Sequence, residues 1–502
     1  MITLLILLFP LAAGLLMLLL RGEVPRYAAL AFTLIELVFA GHAAYYFDLS
    51  PENAGGVQMA FSIPWIKSAG LSFSVGMDGI SLILVLLSTI LLPIIVLSTF
   101  DNKTLQAWNT APAFYGLMLI MQSGLIGVFV AQDAFLFYFF WEMALIPIYF
   151  ISGIWGGERR IKVTFKFFIY TIFGSLFMLV GLVALWYQTR YLPGGYSGSL
   201  ESIYAVGRNL SGNVQCWLFW MLFIAFAIKM PVFPFHTWQP DTYTEAPAAG
   251  TMLLSGIMLK MGIYGVIRWL LPVVPEGVHC WGPTVMTLSV IGIIYGSVIA
   301  LRQKDIKRLV AYSSFAHVGL MAAGVFSLTF SGMHGAVIQM LSHGVCVVGL
   351  FAVIEFVQRR THSRDIDRLG GITQSSASLT VYFMILMLGS VALPLTSGFV
   401  GEFLLLKGVY EWGMNQGWLW FGAVAGLTII LGAVYMLRLF QGVMFGQKSE
   451  LTVKFDGLTS AETFTLIPLC ALVLWIGVAP DSFLDLCGPA VDKLLKQAAL
   501  VR

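Results

Sequence analysis

The chain is a succession of apolar runs separated by short polar loops, and each run is roughly 18–26 residues long, enough for a helix to cross a hydrocarbon core of about 30 Å. Inside lipid only a helix or a closed barrel satisfies its own backbone hydrogen bonds, and the alternating pattern of a barrel strand is missing. The sequence therefore predicts an all-α integral membrane fold. With 59% hydrophobic and 11% charged residues, the chain sits far from soluble domains, of which about 25% is charged. Hydropathy windows give about fourteen spans: 2–20, 27–46, 79–99, 113–131, 134–156, 164–187, 214–233, 247–271, 282–301, 309–329, 332–357, 376–410, 417–442 and 462–479.

Loop charge orients these spans. With the N-terminus outside, the inner loops carry Arg21, Arg26, Lys103, Arg159, Arg160, Lys162, Arg302, Lys304, Lys307, Arg308, Arg359, Arg360, Arg364, Arg368, Lys448 and Lys454. The outer side holds little beyond Lys67, Arg190 and Arg208, with Lys493, Lys496 and Arg502 in the tail. That asymmetry predicts both termini on the non-cytoplasmic face. Met1–Leu20 has the look of a signal peptide, but Arg21 follows without a small-residue cleavage site, so it reads as a retained first span. A net charge of +3, with no basic tract, gives no footprint for nucleic acid. The five cysteines, Cys216, Cys280, Cys346, Cys470 and Cys487, contain no CxxC spacing for zinc or an iron–sulfur cluster. Any redox cofactor is expected on another chain.

Two spans are broken by helix breakers. Pro231 and Pro234 interrupt the seventh near 229–234, and Pro394 to Gly398 interrupt the twelfth near 394–398; each break lies beside a charge. Spans four to eight and nine to thirteen form two five-helix blocks, each with its broken helix in fourth place. An odd number of spans inverts the second block, the pattern of an inverted-repeat transporter whose site lies where discontinuous helices meet. The expected division is 1–110 (three helices and an external loop), 111–271 and 281–442 (the repeats), and 443–502 (loop, last helix and tail). Within the first part, segment 47–74 alternates near its end and predicts a short external hairpin.

Four ionisable residues stand inside otherwise apolar stretches: Glu142 in FYFFWEMALIPIYF, Lys229 in FIAFAIKMPVFPF, Lys260 in LLSGIMLKMGIYG and Glu402 in PLTSGFVGEFLLL. A charge near the bilayer centre costs about 2.5–3.5 kcal/mol on insertion scales, which marks such residues as functional. Glu142 lies mid-span beside Pro147. Lys229 ends the first half of its broken span, where a helix C-terminus favours a cation. Paired, the two offset each other's desolvation; separated, neither is supported. That bistability suits a proton pump, and a permanent packing ion pair is the competing reading. Lys260 stands alone in a small-residue segment suited to close helix approach. It reads as a relay station, against snorkelling to the interface. His317 and His343 are intramembrane imidazoles able to exchange protons near neutral pH, against the plainer reading of hydrogen-bonded core histidines; no CxxCH accompanies them for haem. Glu402 follows the second break, where the positive end of a half-helix suits a carboxylate. Lys407 reads equally as its partner or as an interface residue. Glu36, His42, Arg268 and Arg438 read as packing, interface or subunit-contact residues.

The motifs resemble a known family. MDGISLILVLLST (77–89), FYFFWEMALIPIYFISGIWGG (137–157), FFIYTIFGS (167–175), AFAIKMPVFPFHTWQPDTYTEAPAAGTMLLSGIMLKMGIYG (225–265), DIKRLVAYSSFAHVGL (305–320), GAVIQMLSHG (335–344) and LPLTSGFVGEFLLL (393–406) are similar to the subunit M family of bacterial NADH:quinone oxidoreductase, respiratory complex I, over essentially the whole length. Related subunits L and antiporter chains usually carry lysine where Glu402 stands. The resemblance implies a fourteen-helix antiporter-like fold in a bacterial inner membrane and proton translocation coupled to electron transfer in other subunits. It assigns Glu142 and Lys229 as the coupling pair, Lys260 as the central relay, His317 and His343 as intermediates, and Glu402 as the terminal group. FMN, iron–sulfur clusters and quinone belong on other subunits, with none on this chain. The implied partners are neighbouring membrane subunits, including other antiporter-like ones, together with lipid and protons. The rivals are a sodium/proton antiporter or membrane-bound hydrogenase subunit of the same fold, and a passive scaffold of the membrane arm.

Overall fold

The protein is described by a computed structural model over residues 1–50, 52–102 and 110–497. Lys103 and Arg502 of the charge pattern lie outside the described residues. In chain order the helices are α1 (Ile2–Met17), α2 (Val24–Tyr45), α3 (Gly79–Ser98), α4 (Ala111–Val130), α5 (Ala134–Met143), α6 (Leu145–Trp155), α7 (Arg160–Gln188) and α8 (Leu200–Asn209). They continue as α9 (Gly212–Lys229), α10 (Gln239–Glu245), α11 (Ala248–Leu270), α12 (Pro275–Arg302), α13 (Ile306–Phe326) and α14 (Phe330–Thr361). The last are α15 (Ala377–Ser390), α16 (Ser397–Gln416), α17 (Trp420–Met444), α18 (Ser460–Val478) and α19 (Asp481–Gln497).

Among the described residues, 12 helical segments are long and apolar enough to cross a membrane, α5 and α6 counting as one. The expected fourteen also counted α1, which has 16 residues, and the stretch 376–410, which is two helices, α15 and α16. The second of these is 20 residues long but carries Glu402, Lys407 and Glu411. The seventh-span break runs from Met230 to Trp238, because Pro231 and Pro234 offer no backbone donor. The second break runs from Val391 to Thr396, where Ala392 and Leu395 take left-handed backbone angles of φ 57° and 71°, a conformation costing about 1–2 kcal/mol per non-glycine residue. A smaller interruption falls at Ala144, between α5 and α6. Pro147 cannot donate to the Met143 carbonyl one turn back, so the helix opens at Ala144, two residues after Glu142.

Burial sorts the helices into a centre and a periphery. The apolar windows of α11 and α14 are 100% buried and that of α13 is 94% buried, against 28% for α2 and 39% for α7, α17 and α18. The central three carry Lys260, His317 and His343. Where α11 crosses α14 the contact is glycine on glycine: a Cβ on Gly344 would stand 2.9 Å from the Gly256 carbonyl, and one on Gly256 would stand 2.6 Å from Val348 Cγ2. This crossing sets Lys260 against His343.

Segment 47–74 does form a hairpin: strands β1 (Gln58–Ile66) and β2 (Leu71–Met77) pair antiparallel, with Phe61 opposite Val75 and Ile63 opposite Phe73. It shares its end of the bundle with α8 and α19, two amphipathic helices where the sequence reading had loop and tail. Helix α19 seats Cys487, Ala490, Val491, Leu494 and Leu495, apolar residues at helical spacing, in the core. At the opposite end the basic loops are tied together. Arg159 pairs with Glu245, Arg308 with Asp241, Arg364 with Asp305, Arg360 with Glu462 and Lys304 with Asp367. The Lys304 ammonium holds the Asp367 carboxyl below its usual range. These five basic residues, all among those that oriented the spans in the sequence, therefore gather on one face.

Replacing Gly344 by valine is expected to force α11 and α14 apart at a cost of about 1–3 kcal/mol. A lowered melting temperature of the detergent-purified protein checks it, and an unchanged one counts against the close crossing.

Candidate functional site

Lys229 is the last residue of α9 and is 2% exposed. Its Nζ has no hydrogen-bond partner and lies 5.5 Å from the Trp141 ring centre and 5.9 Å from that of Phe167. A cation over aromatic faces is stabilised by the ring quadrupoles, about 2 kcal/mol or more when desolvated. Glu142 is the residue after Trp141, and its buried Oε1 is likewise unpartnered. Lys229 Nζ thus lies over the ring of the residue before Glu142, and Glu142 and Lys229 do not make the ion-pair contact that the sequence reading weighed.

Lys260 is not alone. It lies on the α-helical turn Leu259–Gly265, between two π-helical segments, Leu254–Met258 and Val266–Leu270. Its Nζ donates to the Ser255 carbonyl at 2.6 Å and stands 3.0 Å from His343 Nδ1. Wide π turns recur at functional sites because they re-aim side chains and backbone carbonyls. From His343 the row continues to His317, with ring centres 6.0 Å apart. His317 Nδ1 in turn lies 3.0 Å from Glu402 Oε1. That approach is close but not aligned as a hydrogen bond, since both atoms remain without a hydrogen-bond partner. Lys260, His343, His317 and Glu402, from four different helices, thus form one buried row.

Two sequence expectations change here. Glu402 is in the second turn of α16, beyond the reach of a helix-end charge that fades within the first turn; its neighbour is His317. Lys407 stands 3.7 Å from Glu411, with both side chains well exposed, a surface pair of little weight, and not with Glu402.

The row borders a cavity with room for about a single water, lined by Ser313, Ser314, His317, Gln339, Ser342, His343 and Cys346. Ser342 Oγ bonds Ser397 Oγ at 2.8 Å, and Cys346 Sγ lies 3.6 Å from the same hydroxyl. Ser397 is the first residue after the second break. Ser314 and Gln339 went unmarked in the sequence, although Ser314 stands three residues before His317 and Gln339 four before His343, spacings that share a helix face.

Arg268, read from sequence as a packing, interface or subunit-contact residue, makes a buried ion pair with Asp78, the cap of α3. Tyr204 donates to the Arg268 carbonyl at 2.7 Å, and Tyr264 donates to the Phe129 carbonyl at 2.8 Å. Together they pin the far end of α11 beneath the hairpin. Glu36 is fully buried in α2, both carboxyl oxygens unpartnered. His42 and Arg438 are exposed. All five cysteines are free, and among the described residues no three His, Cys, Asp or Glu side chains gather to hold a metal.

Residues 131–428 match the family model described as "NADH:quinone oxidoreductase/Mrp antiporter, TM". The chain is 41% identical to NADH-quinone oxidoreductase subunit M of Rickettsia typhi, over 86% of this chain and 84% of that one. It is 38% identical to subunit M of Rhodobacter capsulatus, over 97% and 94%. A chain of the respiratory complex I structure from Thermus thermophilus with bound NADH superposes with a TM-score of 0.87 at 31% identity, covering 99% of this chain and 100% of that chain.

Arg268→Ala is expected to leave Asp78 buried without its cation, costing about 3–5 kcal/mol. Thermal melting of the purified protein measures the loss, and a second change, Asp78→Asn, is expected to restore part of it. A single Arg268→Ala that melts as the parent does would remove the pin from the account.

Proposed function

Because the chain belongs to the NADH-quinone oxidoreductase subunit M family of antiporter-like membrane proteins, we propose that it is a proton-translocating membrane subunit of such an oxidoreductase. The observation that carries the reading is the buried row itself. Lys260 to His343 and His317 to Glu402 are both 3.0 Å contacts, between groups that are each buried in the bundle. Titratable groups at that spacing hand on protons; in a passive scaffold the same burial has no return.

Glu142 and Lys229 act as the coupling pair. Their unpaired arrangement is one of the two states a switch requires, and closure of the pair is the other. Electron transfer in the neighbouring arm changes that interaction and drives charge toward Lys260. The imidazoles His343 and His317 carry it on, and Glu402 releases a proton. Lys229 ends the half-helix before the first break and Glu402 follows the second, which supports the reading of two inverted five-helix repeats. Flavin, iron–sulfur clusters and quinone reside on partner subunits, and this chain contributes proton chemistry alone. Its setting is a bacterial inner membrane, with the basic loops cytoplasmic, both termini periplasmic, and other antiporter-like subunits and lipid around it.

The decisive experiment is mild-detergent purification of the tagged native protein, assayed for inhibitor-sensitive NADH:quinone activity in the same fraction. Activity with flavin present supports the reading. Its absence, with other antiporter-like chains co-purifying, transfers the protein to a sodium/proton antiporter. In assembled complexes, Glu142→Gln and Lys229→Ala are each expected to slow NADH-driven proton pumping by about 10²-fold or more, the scale of losing a positioned acid or base. Full pumping by either variant, measured as vesicle acidification, would mean that its buried charge is structural.

A further inference from the structure

The cavity between the two histidines contains more unclaimed hydrogen-bonding capacity than its size suggests. Ser313 Oγ donates to Tyr435 at 3.1 Å, and Ser342 and Cys346 are both engaged with Ser397. Four lining side chains keep a buried atom without any partner: Ser314 Oγ, Gln339 Oε1, His317 Nε2 and His343 Nε2. Buried polar atoms are satisfied in all but a few cases, and four orphans around one water-sized space point to a common ligand.

The partners of the other ring nitrogens fix what each imidazole presents to that space. Lys260, as an ammonium, only donates, so His343 Nδ1 accepts and His343 Nε2 carries the ring proton. A carboxylate oxygen 3.0 Å from His317 Nδ1 would repel a lone pair there, so Nδ1 carries the ring proton and His317 Nε2 has a free lone pair. One side of the cavity is a donor and the other an acceptor. The rings cannot meet directly: with centres 6.0 Å apart, their nitrogens stay outside the roughly 2.7–3.2 Å of a hydrogen bond even when aimed at one another.

We infer that Ser314 and Gln339 are positioning residues of the proton path, holding one water between His343 and His317. The water accepts from His343 Nε2–H and the Ser314 hydroxyl, and donates to His317 Nε2 and the Gln339 carbonyl. Its two protons and two lone pairs are then all used. A proton crosses when His343 gives its Nε2 proton to the water as the water gives another to His317. Lys260 refills His343 Nδ1, and His317 Nδ1 discharges to Glu402. One proton has moved from Lys260 to Glu402, and each imidazole is left as its other tautomer. Gln339 lies across α16 at Gly401, where a Cβ would come within 2.1 Å of its Oε1. The residue next to Glu402 is therefore glycine where the clamp needs the space.

The inference rests on reading this row as the proton path, so its test includes a control for that reading. NADH-driven pumping is measured in vesicles containing the assembled complex with Gln339→Met, Ser314→Ala, Ser314→Thr or Glu402→Gln. Methionine keeps the length and volume of glutamine, so a packing role survives it. Gln339→Met and Ser314→Ala are each expected to slow pumping about tenfold, the scale of one buried hydrogen bond to a charged path, while Ser314→Thr pumps as the parent. Normal pumping in Gln339→Met and Ser314→Ala alongside loss in Glu402→Gln overturns the inference and leaves the path standing. Normal pumping in Glu402→Gln overturns the path itself. Loss in Ser314→Thr as well as Ser314→Ala assigns the effect to packing and overturns the clamp. Independently of any variant, a density map of the parent complex that resolves waters should place one within hydrogen-bond distance of both Nε2 atoms. Direct imidazole contact, or a dry cavity, overturns the inference.

Discussion

The amino group of Lys260 sits on a helix buried along its whole apolar window, and the groups around it answer that constraint. A charge in such a place persists only where the protein supplies its hydrogen bonds. The Ser255 carbonyl, re-aimed by a π turn, and His343 supply two. The second requires α14 to run close against α11, which the Gly256–Gly344 crossing permits. His343 in turn draws its own second nitrogen toward the cavity and His317, and His317 toward Glu402. Each group is placed by the need of the one before it.

The row crosses the bundle and does not follow any single helix. Lys260, His317 and His343 each lie near the middle of their spans, on neighbouring central helices, so a charge passed between them travels parallel to the membrane. The broken helices mark where the pattern starts and turns. At the first break, Lys229 ends a half-helix and rests on Trp141 and Phe167. At the second, the strained backbone of Ala392 and Leu395 leads into Ser397, whose hydroxyl contacts both Ser342 and Cys346. Backbone strain of this kind survives only where its surroundings over-determine it, and here those surroundings are the cavity wall.

Periodicity and composition made the spans legible: most helix boundaries fall within a few residues of the hydropathy windows, because lipid demands a long apolar run whatever its neighbours are. The breaks were legible because proline cannot donate, and the hairpin because its residues alternate. The buried ionisable residues stood out by contrast with their apolar settings. Their partnerships did not. Sequence reading set Glu142 against Lys229, and Lys229 instead lies over the Trp141 ring; it left Lys260 alone, and His343 meets it; it gave Glu402 to a helix end, and His317 takes it. Ser314 and Gln339 escaped notice because a serine or glutamine in an apolar span is common, and only convergence on one cavity distinguishes these two. The amphipathic helix α19 was missed because its apolar residues are too dispersed for a hydropathy window, though they are correctly spaced for a helix face.

The sequence by itself determined a helical membrane protein with two broken spans, a basic face, and six titratable residues that lipid would not tolerate without a purpose. Those follow from local chemistry: chain length against bilayer thickness, missing donors at proline, and the cost of an unpaired charge. Only the tertiary structure decided which titratable groups meet, at what distance and in what order. Contacts between α11, α13, α14 and α16 depend on which faces pack together, and residues dozens of positions apart carry no mark of that in their own surroundings. The direction of the row, from a lysine through two imidazoles to a carboxylate, is a property of that packing.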